Sequence, residues 1–451
     1  MSTIELRLLP LKGWKIAMLL AFSLIFFSCD KGEDSFLSLS ANEFHFQGEG
    51  GKFTFTISSN VSWNITVTDS WVTTDKLEGN GKGSVTIEVS ENYSDQDRST
   101  IISVSAGSLS GAITISQGSL LYSDGDVISH QTFSATKASR AVNLVIVGDG
   151  FIKDDYYPGG AFDEAAERAI EAFFSVEPFP SYREYFSVYK VVAYSEERGA
   201  TVQRDFSGPQ GPKRQTKNTV FSSILEGGTS TGIDCDEDTV FEYALKVAGM
   251  TESELTKTTI VVIINLEVYA GTTIMYLDGR SIALCPMGDT YEEIVYHEGS
   301  GHGFGRLMDE YIYYTNQSFP VNEIQTLDQF RQGDAWNFGA NLSTTDNRDE
   351  VHWKHYFGKT GYDMVGLYEG GALYGKGVWR PEENSCMNDN SPYFNAPSRE
   401  AIVRRIMSIN GVGFDYDTFY AYDKYEPVSV SSPRARSLTS KAPLAPPILK
   451  R

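Results

Sequence analysis

Two histidines stand five residues apart with a glutamate directly after the first: residues 297–302 read His297, Glu298, Gly299, Ser300, Gly301, His302. Those residue types suit hydrolysis at a metal ion. Neutral imidazoles are the commonest ligands for a divalent transition metal, and a carboxylate beside them can take and return a proton. In the common arrangement the histidines are four apart, so both rings leave one face of an α-helix. Here a regular α-helix would turn the second ring about 140° away from the first. The spacing therefore predicts a widened turn, a π-bulge, of the kind that recurs at functional sites. Gly299 and Gly301 make that distortion cheap, because glycine tolerates strained backbone.

A catalytic zinc site takes three protein ligands and keeps a further position open. The six histidines are His45, His130, His297, His302, His352 and His355, so none follows closely after His302. The third ligand is expected to be a carboxylate, with Asp309 and Glu310 the near candidates. Gly305, three residues after His302, is where the chain should turn back toward the metal. If the segment beyond is extended, successive side chains alternate, and Asp309 and Glu310 face opposite sides. With Asp309 on the metal, Glu310 would orient a ligand from behind. His352 and His355 could share a helix face, but no acidic motif accompanies them and a second metal is not expected. Tyr311 and Tyr393 are candidates for steadying a developing oxyanion, although most of 25 tyrosines must simply pack.

The elements that must position this run follow from periodicity. Residues 142–147 (Val-Asn-Leu-Val-Ile-Val) read as a buried strand, 162–174 as an amphipathic helix, 186–193 as another strand and 259–265 as a central one. That half is α/β. Residues 36–118 differ: short runs such as 52–57, 84–89 and 112–116 alternate polar and apolar, separated by Gly, Asn, Ser and Asp at roughly ten-residue intervals. This is the pattern of a small immunoglobulin-like β-sandwich. A polar connection at 119–140 and a loose Pro-, Ser- and Arg-containing tail at 428–451 complete the plan.

Two resemblances sharpen these readings. The run at 297–311, His-Glu-Gly-Ser-Gly-His-Gly-Phe-Gly-Arg-Leu-Met-Asp-Glu-Tyr, resembles the signature of the IgA-peptidase-type zinc metallopeptidases, in the variant with one extra residue between the histidines. Segments at 145–150, 178–182, 263–265 and 398–401 stand in that family's order, and 382–387 looks like its methionine turn. The resemblance implies a metzincin-like α/β (α+β) peptidase domain over 141–427, with Zn²⁺ held by His297, His302 and Asp309. Glu298 would be the base and Met387 a floor beneath the ligands. Phe394-Asn-Ala-Pro at 394–397 replaces the family's usual cysteine pattern, and recognition of immunoglobulin belongs to particular members. Within 30–118, the order of Ser59-Asn60-Val61-Ser62-Trp63, Trp71-Val72, Asn92, Arg98 and Ile115-Ser116-Gln117 resembles the BACON domain, whose family name implies carbohydrate binding. Trp63 and Trp71 fit packing better than a sugar platform, and the domain reads as a spacer.

Length and charge set the frame. A chain of 451 residues suits two or three compartments, and 41% apolar with 13% aromatic residues supplies ample cores. A net charge of −21 repels phosphate backbones, which excludes nucleic acid as a natural partner. Arg7, Lys12 and Lys15 precede an apolar run at 16–27, too short to span a bilayer, which ends in Ser28-Cys29. Residues 1–29 read as a lipoprotein signal with Cys29 carrying the lipid, or else as an ordinary signal peptide. The mature protein would then sit at a bacterial outer membrane or cell surface, touching membrane through that lipid alone. Cys235, Cys285 and Cys386 form no framework and allow at most one disulfide. The expected function is zinc-dependent endoproteolysis of extracellular protein or glycoprotein substrates. The alternative is a surface glycan- or glycoprotein-binding lipoprotein with a structural metal, which has no need of Glu298 as a base.

Overall fold

The computed structural model describes residues 34–207, 211–331, 338–424 and 444–450. The leader with Cys29 and much of the tail thus lie outside the described residues. The chain forms two compact units that part between Leu121 and Tyr122.

In the first unit a four-stranded sheet (Leu37–Leu39, Gly51–Ser59, Gly83–Val89, Val72–Thr74) and a five-stranded sheet (Glu43–Phe46, Leu109–Gln117, Arg98–Ala106, Ser62–Thr66, Glu78–Asn80) share one core. Period-two alternation decides which residues enter it: Ile102, Val104 and Ala106 are buried while Ile101, Ser103 and Ser105 are exposed. Trp63 belongs to that core, its indole N–H donating to the Gly81 carbonyl at 3.0 Å. A Cβ on Gly79 would lie 2.1 Å from the Trp63 ring, so the glycine is there to admit it. Trp71 is half-buried under the Arg98 guanidinium, 4.4 Å from its ring centre. Neither ring is a bare platform.

The second unit is built on a seven-stranded mixed sheet. Its strands are β1 (Val127–Gln131), β2 (Val142–Asp149), β3 (Phe186–Val191), β4 (Thr258–Glu267), β5 (Thr272–Tyr276) and β6 (Ser281–Met287), joined near the end of the chain by Ile448–Lys450. The spatial order is β1-β3-β2-β4-β6-β5 and then Ile448–Lys450. Parallel pairing joins β3, β2, β4 and β6; β1 is antiparallel to β3 and β5 antiparallel to β6, while Ile448–Lys450 runs parallel to β5. Such strands are covered on both faces, hence their near-continuous apolar runs. Val142, Leu144 and Ile146 enter one core with Val261, Ile263, Ala283 and Cys285. Val145 and Val147 enter the other with Ile260, Val262, Ile282 and Leu284. The first core also holds helix α1 (Ala161–Phe173), the 297–302 segment's helix and helix α2 (Ala396–Asn410). A second sheet follows the site in sequence, ordered β7 (Ile312–Ser318), β9 (Leu373–Arg380), β8 (Tyr368–Gly371). Among the described residues no helix is long and apolar enough to cross a membrane.

Two expectations about connections change. The polar stretch 119–140 is not wholly a linker, because Val127–Gln131 pairs with β3 as the sheet's edge; an edge strand needs only one set of ladder bonds and tolerates polar residues. Nor is all of 428–451 loose, since Ile448–Lys450 pairs with β5 and Leu444 is buried. A chain beginning at Tyr122 keeps every strand of the sheet, whereas one beginning at 141 loses β1. We expect the 122 truncation to turn over a small peptide within a few-fold of the full chain. A folded but inactive truncation would show that the first unit contributes to catalysis.

Candidate metal centre

Residues 291–304 form one buried helix that changes pitch on the way. An α-helical turn, Tyr291–Ile294, runs into a π-helix at Val295–Phe304. Because π-helical hydrogen bonds span five residues, His297 and His302 return to the same side. Their ring centres are 4.9 Å apart and nearly perpendicular. The glycines serve a purpose other than the expected easing of strain, since neither Gly299 nor Gly301 takes a positive φ. A Cβ on Gly299 would meet Val261 of β4 at 3.3 Å, and one on Gly301 would lie 2.4 Å from Met387 Sδ. They let the helix lie against the sheet on one side and Met387 on the other. Alanine is the better helix former by about 1 kcal/mol, but overpacking a closed core costs about 1–3 kcal/mol. Met387 is fully buried, so the clash decides the sign. Gly301→Ala should lower the thermal midpoint, and Gly301→Ala combined with Met387→Ala should recover part of the loss in a double-mutant cycle.

The turn that follows is made by a different residue from the one expected. Gly305 keeps helical angles, and Arg306 adopts φ +59°. Left-handed backbone is costly for a residue with a side chain, and Arg306 is held there by its fully buried guanidinium, which donates to the Tyr276 carbonyl at 2.5 Å. The turn brings the Leu307 carbonyl to His302 Nδ1 at 2.7 Å. His297 Nδ1 meets the Cys386 carbonyl at 3.1 Å. With each Nδ1 committed to a carbonyl, each Nε2 is left as a lone-pair donor.

Beyond Arg306 the chain leaves the helix, and Asp309 and Glu310 point to opposite sides. Asp309 Oδ1 lies 3.3 Å from His297 Nε2 and 3.2 Å from His302 Nε2. None of these three buried atoms makes a directed hydrogen bond. Glu310 turns away: its carboxylate accepts from Ser385 Oγ at 2.7 Å, Asn341 Nδ2 at 2.8 Å and Asn395 Nδ2 at 2.6 Å. Its backbone N–H donates to the Met387 carbonyl at 2.7 Å. Glu310 thus fastens the Asp309 segment to the turn whose Cys386 carbonyl aims His297. Burial lifts the Glu310 carboxyl to about 7 despite those donors. Burial works against the His302 imidazole, but the Asp309 and Glu298 carboxylates outweigh it and raise its pKa; burial likewise opposes Asp309, which the two imidazoles pull below the ordinary range.

Glu298 is fully buried beside this cluster. Its Oε2 accepts from Thr273 Oγ1 of β5 at 2.7 Å, while Oε1 has no partner. Burial raises its pKa, the two imidazoles pulling the other way. Gly271 borders the free oxygen, and a Cβ there would lie 2.9 Å from it. Sequence reasoning missed Thr273 and Gly271, which sit in another strand and its loop with no motif of their own.

The remaining candidates separate. Tyr311 Oη lies 3.0 Å from Asp309 Oδ2, so it is at the cluster. Tyr393 donates instead to Glu382 at 2.6 Å. His352 meets the Ala340 carbonyl and His355 meets Glu400, so neither joins a metal cluster. Among the described residues His297, His302 and Asp309 are the one such group. Cys235, Cys285 and Cys386 are free, the latter two buried.

Comparison with known proteins bears on the same residues. Residues 61–118 match the BACON family model, described as a putative binding domain, N-terminal. No curated protein matches the chain. Among solved structures, a Bacteroides ovatus GH5 xyloglucanase in complex with a XXXG heptasaccharide is 22% identical over 24% of this chain and 26% of its own, with a TM-score of 0.18. The chain therefore spans about a quarter of that enzyme's length. A protein from Bacteroides thetaiotaomicron is 14% identical over 20% of this chain and 94% of its own, with a TM-score of 0.15. WR4, a C. elegans MSP family member, is 11% identical over 18% and 96%, also at 0.15. Residues 132–361, half of the chain and including the π-helix and Asp309, match the model described as IgA Peptidase M64, and the chain belongs to that family.

Proposed function

We propose that this peptidase is a zinc-dependent endopeptidase whose ion is held by His297 Nε2, His302 Nε2 and Asp309 Oδ1. The observation that carries the reading is three buried donor atoms without hydrogen-bond partners, Asp309 Oδ1 lying within 3.3 Å of each Nε2 and all three within 4.8 Å of one another. Leaving three such atoms unsatisfied costs free energy that a cation recovers. Two imidazoles and one carboxylate make a donor set suited to Zn²⁺ with a position left open. When bound, such an ion lowers the pKa of a coordinated water to about 7 and polarises a carbonyl.

The chain's own residues do the rest. Glu298 offers Oε1 as proton acceptor, Thr273 fixes its other oxygen, and the proton returns from Glu298 to the leaving amine. The Leu307 and Cys386 carbonyls hold the imidazoles in the tautomer that presents Nε2. Met387 packs under the helix against Gly301 and keeps that side dry. Tyr311 Oη stands beside Asp309, 3.0 Å from its Oδ2.

A peptidase domain implies a protein substrate, and we infer an extracellular protein or glycoprotein from the leader at 1–29. An acyl group on Cys29 in the mass spectrum of the mature N-terminus is the test of surface anchoring; a mature chain starting beyond Cys29 would defeat it. A purely structural metal is disfavoured by Glu298, whose Oε1 stands beside the cluster without a hydrogen-bond partner. Peptide hydrolysis by zinc-loaded protein, abolished by chelation and restored by zinc, is the test of the activity itself.

A further inference from the structure

The reacting groups are shut away: His297, Glu298, His302 and Asp309 are each 0–1% exposed. A peptidase must admit an extended chain to these atoms, so something that covers them has to move. Among the described residues, 444–450 both reaches the centre and lies across its supports. The Leu444 carbonyl accepts from Tyr311 Oη at 2.5 Å, the same hydroxyl that lies 3.0 Å from Asp309. Leu444 itself is buried in the core that holds the π-helix. Four residues later Ile448, Leu449 and Lys450, here strand β10, pair in parallel with Ile274, Met275 and Tyr276 of β5, the strand that carries Thr273. Leu449 packs on a cluster that includes Met275 and borders Met308, the residue before Asp309. Lys450 closes the strand with an ion pair to Glu237.

The attachment is short. Only three residues pair, and Pro446 and Pro447 between the two anchors have no N–H to add to a ladder. Main-chain pairing of an extended segment onto a sheet edge is how many proteins take up peptides. We propose that the outer edge of β5, together with the Tyr311 hydroxyl, is a docking surface for an extended peptide strand, and that residues 444–450 of this chain are its resident occupant. The segment competes with substrate and must leave before a peptide reaches Glu298. This rests on the peptidase reading above.

A reversible lock tests it in the full chain. Met275 and Leu449 are paired neighbours on one face, within the reach of a disulfide. In zinc-loaded Met275→Cys/Leu449→Cys, turnover of a small peptide should be at least about 10-fold lower with the bridge formed than after phosphine reduction, while wild type is indifferent to the phosphine. Leu444→Asp, which puts a charge into the buried anchor, should raise kcat/KM several-fold. Equal turnover of the bridged and reduced forms, with the bridge verified by mass, would overturn the proposal. So would reduced turnover by folded, zinc-loaded Leu444→Asp. If wild type, reduced double variant and Leu444→Asp are all inactive with zinc bound, the peptidase reading falls and the strap with it.

Discussion

Glu298→Gln should keep its zinc and lose peptide turnover by about 10²–10⁴-fold, the range that a positioned general acid–base group contributes. The substitution preserves shape: an amide oxygen can still accept from Thr273 Oγ1, and no ligand atom is touched. What disappears is the basicity of Oε1, the one oxygen of this carboxylate without a partner. Burial keeps that oxygen away from bulk water, so little else is placed to substitute for it. Metal analysis and steady-state kinetics on the same preparation separate the two effects. Near-normal turnover by a zinc-replete Glu298→Gln would remove Glu298 from the mechanism.

The second large effect divides two adjacent carboxylates. Asp309→Asn removes the charged oxygen that lies 3.2–3.3 Å from both Nε2 atoms, and should weaken zinc binding more than Glu310→Gln. Glu310 touches no ligand atom. It acts through Ser385, Asn341 and Asn395, which fix the segments bearing Asp309 and the Cys386 carbonyl. Losing an orienting partner of this kind typically costs about 10–100-fold in metal affinity. Competition with a chromophoric chelator ranks the two variants directly. Tighter zinc binding by Asp309→Asn than by Glu310→Gln would mean that Asp309 is not a ligand.

Much of the centre was legible because it is local. The five-residue histidine spacing forces a departure from α-helical pitch, and the alternation of an extended segment separates Asp309 from Glu310 whatever the surrounding fold. The buried strands at 142–147 and 259–265 were equally plain, being apolar on both faces. Contacts between distant segments left no such trace. Thr273 and Gly271 meet Glu298 only because β5 lies beside the π-helix, and Tyr393 was separated from the cluster by its bond to Glu382. The glycines of the motif were visible while their purpose was not, since the need at Gly301 comes from Met387, far along the chain. Short edge strands were the other failure: Val127–Gln131 and Ile448–Lys450 carry too little periodicity to be told from linker and tail.

The most direct test of the central claim is a zinc titration of the metal-free protein with peptide hydrolysis as the readout. If His297, His302 and Asp309 form the single catalytic site, hydrolysis rises in proportion to added zinc and levels off at one equivalent, and the same titration of Glu298→Gln shows equal zinc uptake without the rise. Hydrolysis that persists in the metal-free protein, or zinc uptake at this site with no hydrolysis of any peptide in a proteome-derived mixture, would contradict it.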